Sequence, residues 1–132
     1  MEDDIRTVTH PEWFEGELYN YENDLDTVFS GVTGIKLTPK IKPLRGKITI
    51  PSEFEYEGDK YPVICLEGFG GDRQLETQSE HLFTHIFMET NPQKTIENKV
   101  YVIEENAFYK SSSLQYFDFN NCAVRIIKDN AF

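Results

Sequence analysis

Cysteine, methionine and tryptophan are scarce in this 132-residue chain, at two, two and one. Cys65 and Cys122 stand far apart with no C-x-x-C spacing, so the sequence indicates neither a disulfide framework nor a thiolate zinc site. Both cysteines read as small buried hydrophobes. No apolar run approaches the roughly 18 residues that a membrane helix needs. The opening residues Met1, Glu2, Asp3 and Asp4 have neither the basic nor the apolar region of a secretory signal. Positive charge is short as well: 13 Lys and Arg against 23 Asp and Glu give a formal net charge of -10. That balance argues against free nucleic acid as a partner, because phosphate binding needs a basic stripe.

Catalytic signatures are missing too. There is no G-x-S-x-G, no glycine-rich phosphate loop and no D-x-D-x-D-G calcium loop. Nothing singles out two of the 23 acids as a catalytic pair held across a cleft. His81 and His85 have the four-residue spacing that can hold a metal on a helix, but His85 reads as strand, where that spacing does not converge. The chain is therefore expected to be non-enzymatic, with no catalytic residue, no metal and no cofactor.

What remains is enough to build a core: 39% of residues are hydrophobic and 14% aromatic. Charge is laid out unevenly. Acids dominate residues 1–35, whereas Lys36, Lys40, Lys42, Arg45 and Lys47 follow one another with no acid between them. A basic stretch of this kind reads as a solvated loop with charges alternating along a strand.

Along the chain, residues 1–22 are acidic and aromatic, with a poor helix signal. Asn23 or Asp24 can cap a short helix carrying Leu25, Val28 and Phe29 at i, i+3 and i+4, ending at Gly31. From Ile35 the period changes to two: Ile35 and Leu37 mark one strand, Ile48 and Ile50 a second, closed by Pro51. Gly58 supplies the turn of a hairpin joining Phe54 and Tyr56 to Tyr61 and Val63. Residues 103–108 read I-E-E-N-A-F and residues 127–132 read I-K-D-N-A-F, the same frame 24 positions later. A period of that size signals stacked repeats. Leu114, Phe117 and Phe119 lie between the two frames in an L-x-x-F-x-F run, and Phe83, Ile86 and Met88 show the same spacing earlier. Residues 64–69 form a degenerate third frame once loop insertions near 70–80 and 89–97 are allowed.

At Ile48, Ile50 and Pro51, at Tyr61 and Val63, at Ala107 and Phe108, at Leu114, Phe117 and Phe119, and at Ala131 and Phe132, the chain resembles the BspA-like leucine-rich repeats. It departs from them where Gly68 replaces the usual alanine and phenylalanines replace strand leucines. The resemblance implies a β-rich repeat fold: a leucine-rich-repeat solenoid over residues 44–132, with short helical or turn segments and an acidic N-terminal cap or docking segment over residues 1–43. It also implies a binding or structural role. The expected setting is a virion, as a phage tail or fibre component serving host attachment or protein-protein assembly. The alternative is a secreted bacterial surface adhesin, or a fragment of one, at the cell surface. A small hydrolase domain is the third reading, and it would need a pocket of convergent acids or histidines.

The partners expected are other protein chains of an assembly and a host-surface protein or glycan, without nucleic acid and without membrane insertion. An uncovered last repeat implies an oligomer or a longer chain. Residues between the buried strand positions face outward, so stacking should place Thr84 beside Gln115, His85 beside Tyr116 and Phe87 beside Asp118. This aromatic and polar strip is the candidate binding face. Trp13 and Phe14 are the candidate docking residues, either anchoring a partner or closing the N-terminal end of the core. Phe108 and Phe132 are expected to be buried at equivalent positions.

Overall fold

The computed structural model describes residues 9–21, 32–71, 74–90, 100–118, 124 and 126–132. The cap helix expected near residues 23–31, Phe119 and Cys122 lie outside them. A 3-10 turn at Pro11–Trp13 leads into nine strands: β1 (Phe14–Tyr21), β2 (Val32–Pro39), β3 (Arg45–Ile50), β4 (Glu53–Tyr56), β5 (Asp59–Leu66), β6 (Leu82–Met88), β7 (Val102–Ile103), β8 (Tyr116–Phe117) and β9 (Ile126–Ile127). One sheet runs β1-β2-β5-β7-β9 with β4 attached to β5, and the other runs β3-β6-β8.

The expected leucine-rich-repeat solenoid is not what forms. The described residues make mixed β-structure, strongly curled into a half-barrel, with almost no helix among them. In the larger sheet β1 and β2 pair antiparallel, β2 and β5 parallel, and β4 and β5 antiparallel again. A solenoid requires equivalent units that each contact only their neighbours. Here the longest strands are the eight-residue β1, β2 and β5, whereas the two I-x-x-N-A-F frames contribute only the two-residue β7 and β9. The 24-residue echo in the sequence corresponds to these two short strands, a small part of the sheet.

Local chemistry explains each long strand. In β2, Ile35 and Leu37 alternate inward and both are fully buried. The β4–β5 hairpin closes through Glu57 and Gly58, both left-handed at φ 50 and 88, which is the turn whose twist suits a two-residue hairpin loop. The register of β2 on β5 slips between Ile35 and Lys36, so that Ile64 has no partner across the ladder. Gly34 makes room for it: a Cβ there would lie 2.8 Å from Ile64 Cγ2 and 2.5 Å from the Pro62 carbonyl oxygen.

The core lies between the two sheets. Ile35, Leu37, Val63, Leu66 and Ile103 enter it from the larger sheet, and Ile48, Ile50, Phe83, Ile86 and Met88 from the smaller. Phe69 and Phe108 come from the connections and stack with ring centroids 5.1 Å apart. Phe83 meets both rings edge-on, at 6.1 Å from each. A second, smaller cluster of Ile64, Cys65 and Val102 forms the outer side of the larger sheet, with Tyr19 and Tyr101 against it. Residues on either side of position 44 share the main core, since Phe14, Ile35 and Leu37 belong to the same cluster as Phe108.

The two Ala-Phe frames lie side by side. Val102 pairs with Ile126 and Ile103 with Ile127, and the Phe108 N–H donates to the Ala131 carbonyl at 2.7 Å. Ala107 and Ala131 are both buried, but the phenylalanines are not equivalent: Phe108 is enclosed and Phe132 is 53% exposed. The Phe132 ring stacks on Phe108 at 5.2 Å and touches Phe117 edge-on, which leaves much of it in solvent. This corrects the expectation of two equally buried rings. Phe108→Ala is expected to cost about 3–5 kcal/mol, the range for emptying an aromatic core site. Phe132→Ala should cost about 1 kcal/mol, the value of an aromatic pair at the margin of a core. Urea denaturation of the two variants measures both.

Candidate functional site

The smaller sheet displays the predicted strip on its outer side. In the parallel register Lys47 pairs with His85, and His85 with Tyr116; on the inner side Ile48 pairs with Ile86, and Ile86 with Phe117. Because strand side chains alternate, burial of Ile86 dictates that His85 and Phe87 face away from the core. The rings of His85, Phe87 and Tyr116 form a triangle, with all three centroid separations at 5.9 Å. Tyr116 is 50% exposed. A register slip beside Gly46 brings Thr84 to the same side, where its Oγ1 donates to the Gly46 carbonyl and lies 2.8 Å from His85 Nδ1.

Gln115 and Asp118 flank this triangle. The Gln115 N–H donates to the Thr84 carbonyl at 2.8 Å, and the Asp118 N–H to the Ile86 carbonyl at 2.9 Å. The structure thus places Thr84, His85 and Phe87 on β6 beside Tyr116 of β8, with Gln115 and Asp118 immediately before and after that short strand. Trp13 and Phe14 are placed elsewhere. Phe14 is part of the core, 6.2 Å from Phe69 by ring centroids. Trp13 is half-buried under His10, stacked at 4.0 Å, and its carbonyl accepts N–H bonds from Lys40 and Ile41. Of the two docking candidates only Trp13 reaches the surface.

Two polar residues hold the strip in place: His81, which the sequence raised only as a metal-ligand spacing with His85, and Glu89, which it did not single out. At the start of β6, buried His81 accepts the Leu44 N–H on Nδ1 at 2.9 Å. At its end, buried Glu89 accepts both the N–H and the Oγ–H of Ser52, at 2.9 and 3.0 Å. Both clamps join residues 37 apart, so they tie the two ends of β3 and β6 in one register. The only sequence signal for them is position, immediately before and after an apolar strand.

Burial and then Lys42 hold the His81 pKa below its ordinary value of 6.5, with Glu80 opposing them. Nδ1 is committed as an acceptor, which places the ring proton on Nε2 in the neutral form. Cys65 is buried and its thiol is pushed far up by burial and by Glu104, which leaves it without thiolate reactivity. Around it a line of charge crosses the larger sheet: Lys36 reaches Glu17 and Glu67 at 3.9 and 3.5 Å, and Lys128 reaches Glu104 at 2.9 Å.

Among the described residues no group of three or more His, Cys, Asp and Glu is placed to hold a metal ion, and no helix is long and apolar enough to cross a membrane. One cleft of about 850 Å³ opens between the connection that follows Phe69, Lys42 and the turn at Asn106. Comparison with protein-family models, with curated proteins and with solved structures finds no match to this chain.

The clamps generate a pH dependence. Folded His81 has a depressed pKa, so its contribution to stability is complete above 6.5, where both states are neutral, and is lost as pH falls from there through the folded value. Urea midpoints measured from about pH 8 down to about pH 5 should decline in the wild type. His81→Leu should flatten that decline and cost about 1–3 kcal/mol at neutral pH by leaving the Leu44 N–H unpaired. Glu89→Ala, which leaves two Ser52 donors without their carboxylate, should cost about 3 kcal/mol.

Proposed function

We propose that this protein is a non-enzymatic recognition and assembly module whose contact surface is the aromatic outer face of the smaller sheet. The carrying observation is the His85, Phe87 and Tyr116 triangle, three rings on a rigid sheet with polar neighbours at its margin. Aromatic side chains with a polar tip give large contact area at low entropic cost, and they are enriched at protein interfaces. Exposed Ile126, Ile127 and Phe132 beside β9 add a second apolar surface suited to assembly with other chains.

Hydrolysis is less well supported. His81 and Glu80 both line the cleft, but Nδ1 of His81 is engaged by Leu44 and Glu80 is 3.6 Å from Lys42. Neither is poised as a base against a nucleophile. The setting we infer is a virion tail or fibre. It rests on the sequence resemblance, and neighbouring genes that encode virion parts would agree with it, whereas export and cell-wall genes would point to the surface adhesin instead.

The contact face is tested with the labelled protein on whole cells of candidate hosts. Tyr116→Ala and Phe87→Ala should each weaken retention about tenfold, the effect of losing an aromatic anchor worth about 1.4 kcal/mol. The half-exposed Tyr116 should be replaceable with little change in melting temperature. Equal retention of wild type and both variants would overturn the assignment of this face.

A further inference from the structure

Strands β1 and β3 each end a sheet, β1 beyond β2 in the larger and β3 beyond β6 in the smaller. Bonds at their ends show which backbone groups face the open side. The Trp13 carbonyl accepts the Lys40 N–H one step beyond the Phe14–Pro39 pair, so odd-numbered residues of β1 bond to β2. The Gly16 and Leu18 N–H and the Phe14 and Gly16 carbonyls therefore turn away from the sheet. In β3 the Leu44 and Ile50 carbonyls accept N–H bonds from Leu82 and Glu89, so even-numbered residues bond to β6 and Arg45 and Lys47 turn their backbone groups outward. The register slip adds its extra residue, Thr84, to β6 and leaves the alternation of β3 intact.

The two open edges carry opposite charge. Phe14 of β1 is in the core, so Glu15 and Glu17 alternate onto the outer face, and both are exposed. Leu44 and Ile48 are in the core, so Arg45 and Lys47 take the outer face of β3, exposed as well. Lys36, Lys42, Lys60 and Lys128 each reach a carboxylate, whereas Arg45 and Lys47 are in no ion pair with a described residue. Glu17 meets Lys36 at 3.9 Å and stays 68% exposed. Charge of one sign ordinarily guards an edge strand against its own copies. Here each edge is guarded against itself and complementary to the other. Space is available too, since a Cβ on Gly46 would meet no atom within 4 Å.

Backbone and charge agree on one alignment. In a parallel pair a residue bonds to the two neighbours of the residue opposite it, and opposite side chains share a face. With Arg45 opposite Glu15, the Arg45 N–H donates to the Phe14 carbonyl and its carbonyl accepts the Gly16 N–H. Lys47 then lies opposite Glu17, bonded to the Gly16 carbonyl and the Leu18 N–H. An antiparallel pair would instead set Arg45 across from an even-numbered residue of β1 and leave the acids on the other face. We infer that this protein assembles head to tail with a second copy of itself, the β3 edge of one adding in parallel to the β1 edge of the next. The two surfaces differ, so each contact leaves one of each open and growth continues into a ring or filament. The aromatic face plays no part in this contact.

The test is sedimentation velocity of the full chain from about 5 μM to about 1 mM, a range suited to a contact below standard interface size. The wild type should pass from monomer to species larger than a dimer. Arg45→Glu with Lys47→Glu makes both edges acidic, and Glu15→Lys with Glu17→Lys makes both basic. Each double variant alone should associate about tenfold more weakly. Mixed in equal amounts they should associate as the wild type does, because every contact again joins opposite charges. If a double variant fails to melt cooperatively, Arg45→Glu and Glu15→Lys, opposite each other in the register, replace the pairs. The inference is overturned if the wild type stays monomeric, if the folded charge variants associate as the wild type does, or if their mixture stays monomeric. It is also overturned if Phe132→Ala abolishes an association that the charge variants leave intact, which would put the contact beside β9. Binding of an added polyglutamate peptide by a wild type that does not self-associate would make the occupant an acidic segment of another protein, and would overturn it as well.

Discussion

The contact of Phe69, Phe83 and Phe108 between the two sheets is the constraint on which the other features depend. Two of these rings come from connections and one from a strand, so each must be held by a different stretch of chain before the three can meet. Once they do, Phe108 is enclosed by Phe69, Phe83, Phe117 and Phe132, in two stacked and two edge-on contacts. Offset and edge-to-face arrangements are the favourable geometries for aromatic pairs, and burial of each ring adds the larger hydrophobic contribution. The core sets which side of each strand points inward, and the outer face follows from it. Ile86 and Phe117 turn inward to join this cluster, so His85, Phe87 and Tyr116 turn outward to form the candidate contact surface.

Packing alone does not specify register, because a sheet slipped by two residues presents the same faces. In the β3–β6 pair that ambiguity is removed by polar groups. His81 and Glu89 each accept donors from the partner segment at opposite ends of the ladder, and a slip would leave Leu44 or Ser52 donors buried without partners. Buried polar groups of this kind cost desolvation energy and contribute specificity when fully satisfied. The structural consequence is one fixed pairing of β3 with β6, which sets the positions of His85 and Phe87 on the outer face.

Much of the strand content was legible in the residues. The period-two runs at Ile35 and Leu37 and at Ile48 and Ile50, and the one-four-six pattern of Phe83, Ile86 and Met88, all lie in strands, as does the hairpin around Gly58. Strand β1 was hidden, because glycine at position 16 and Asn20 interrupt the apolar alternation that Phe14 and Leu18 would otherwise mark. The solenoid reading failed for a related reason. An echo of six residues reports that two short segments sit side by side, but it carries no information about the direction of the longer strands that surround them. Strip neighbours such as His85 and Tyr116 could be counted from spacing, whereas the cleft could not: Lys42, the residues after Phe69 and Asn106 are brought together only by the closed core.

Composition and spacing by themselves determined that this chain is rich in β-structure and holds an aromatic core, because those properties depend on residue type and local period. Tertiary structure alone decided that the sheet is mixed and curled, that Phe108 is enclosed while Phe132 in the same local frame is half open, and that Asn106 ends with a buried oxygen lacking a donor among the described residues. Those outcomes depend on which distant segments meet, and neighbouring residues do not encode that locally. Two identical dipeptides, Ala107-Phe108 and Ala131-Phe132, therefore have different fates: one ring has Phe69 and Phe83 packed over it, and the other has solvent.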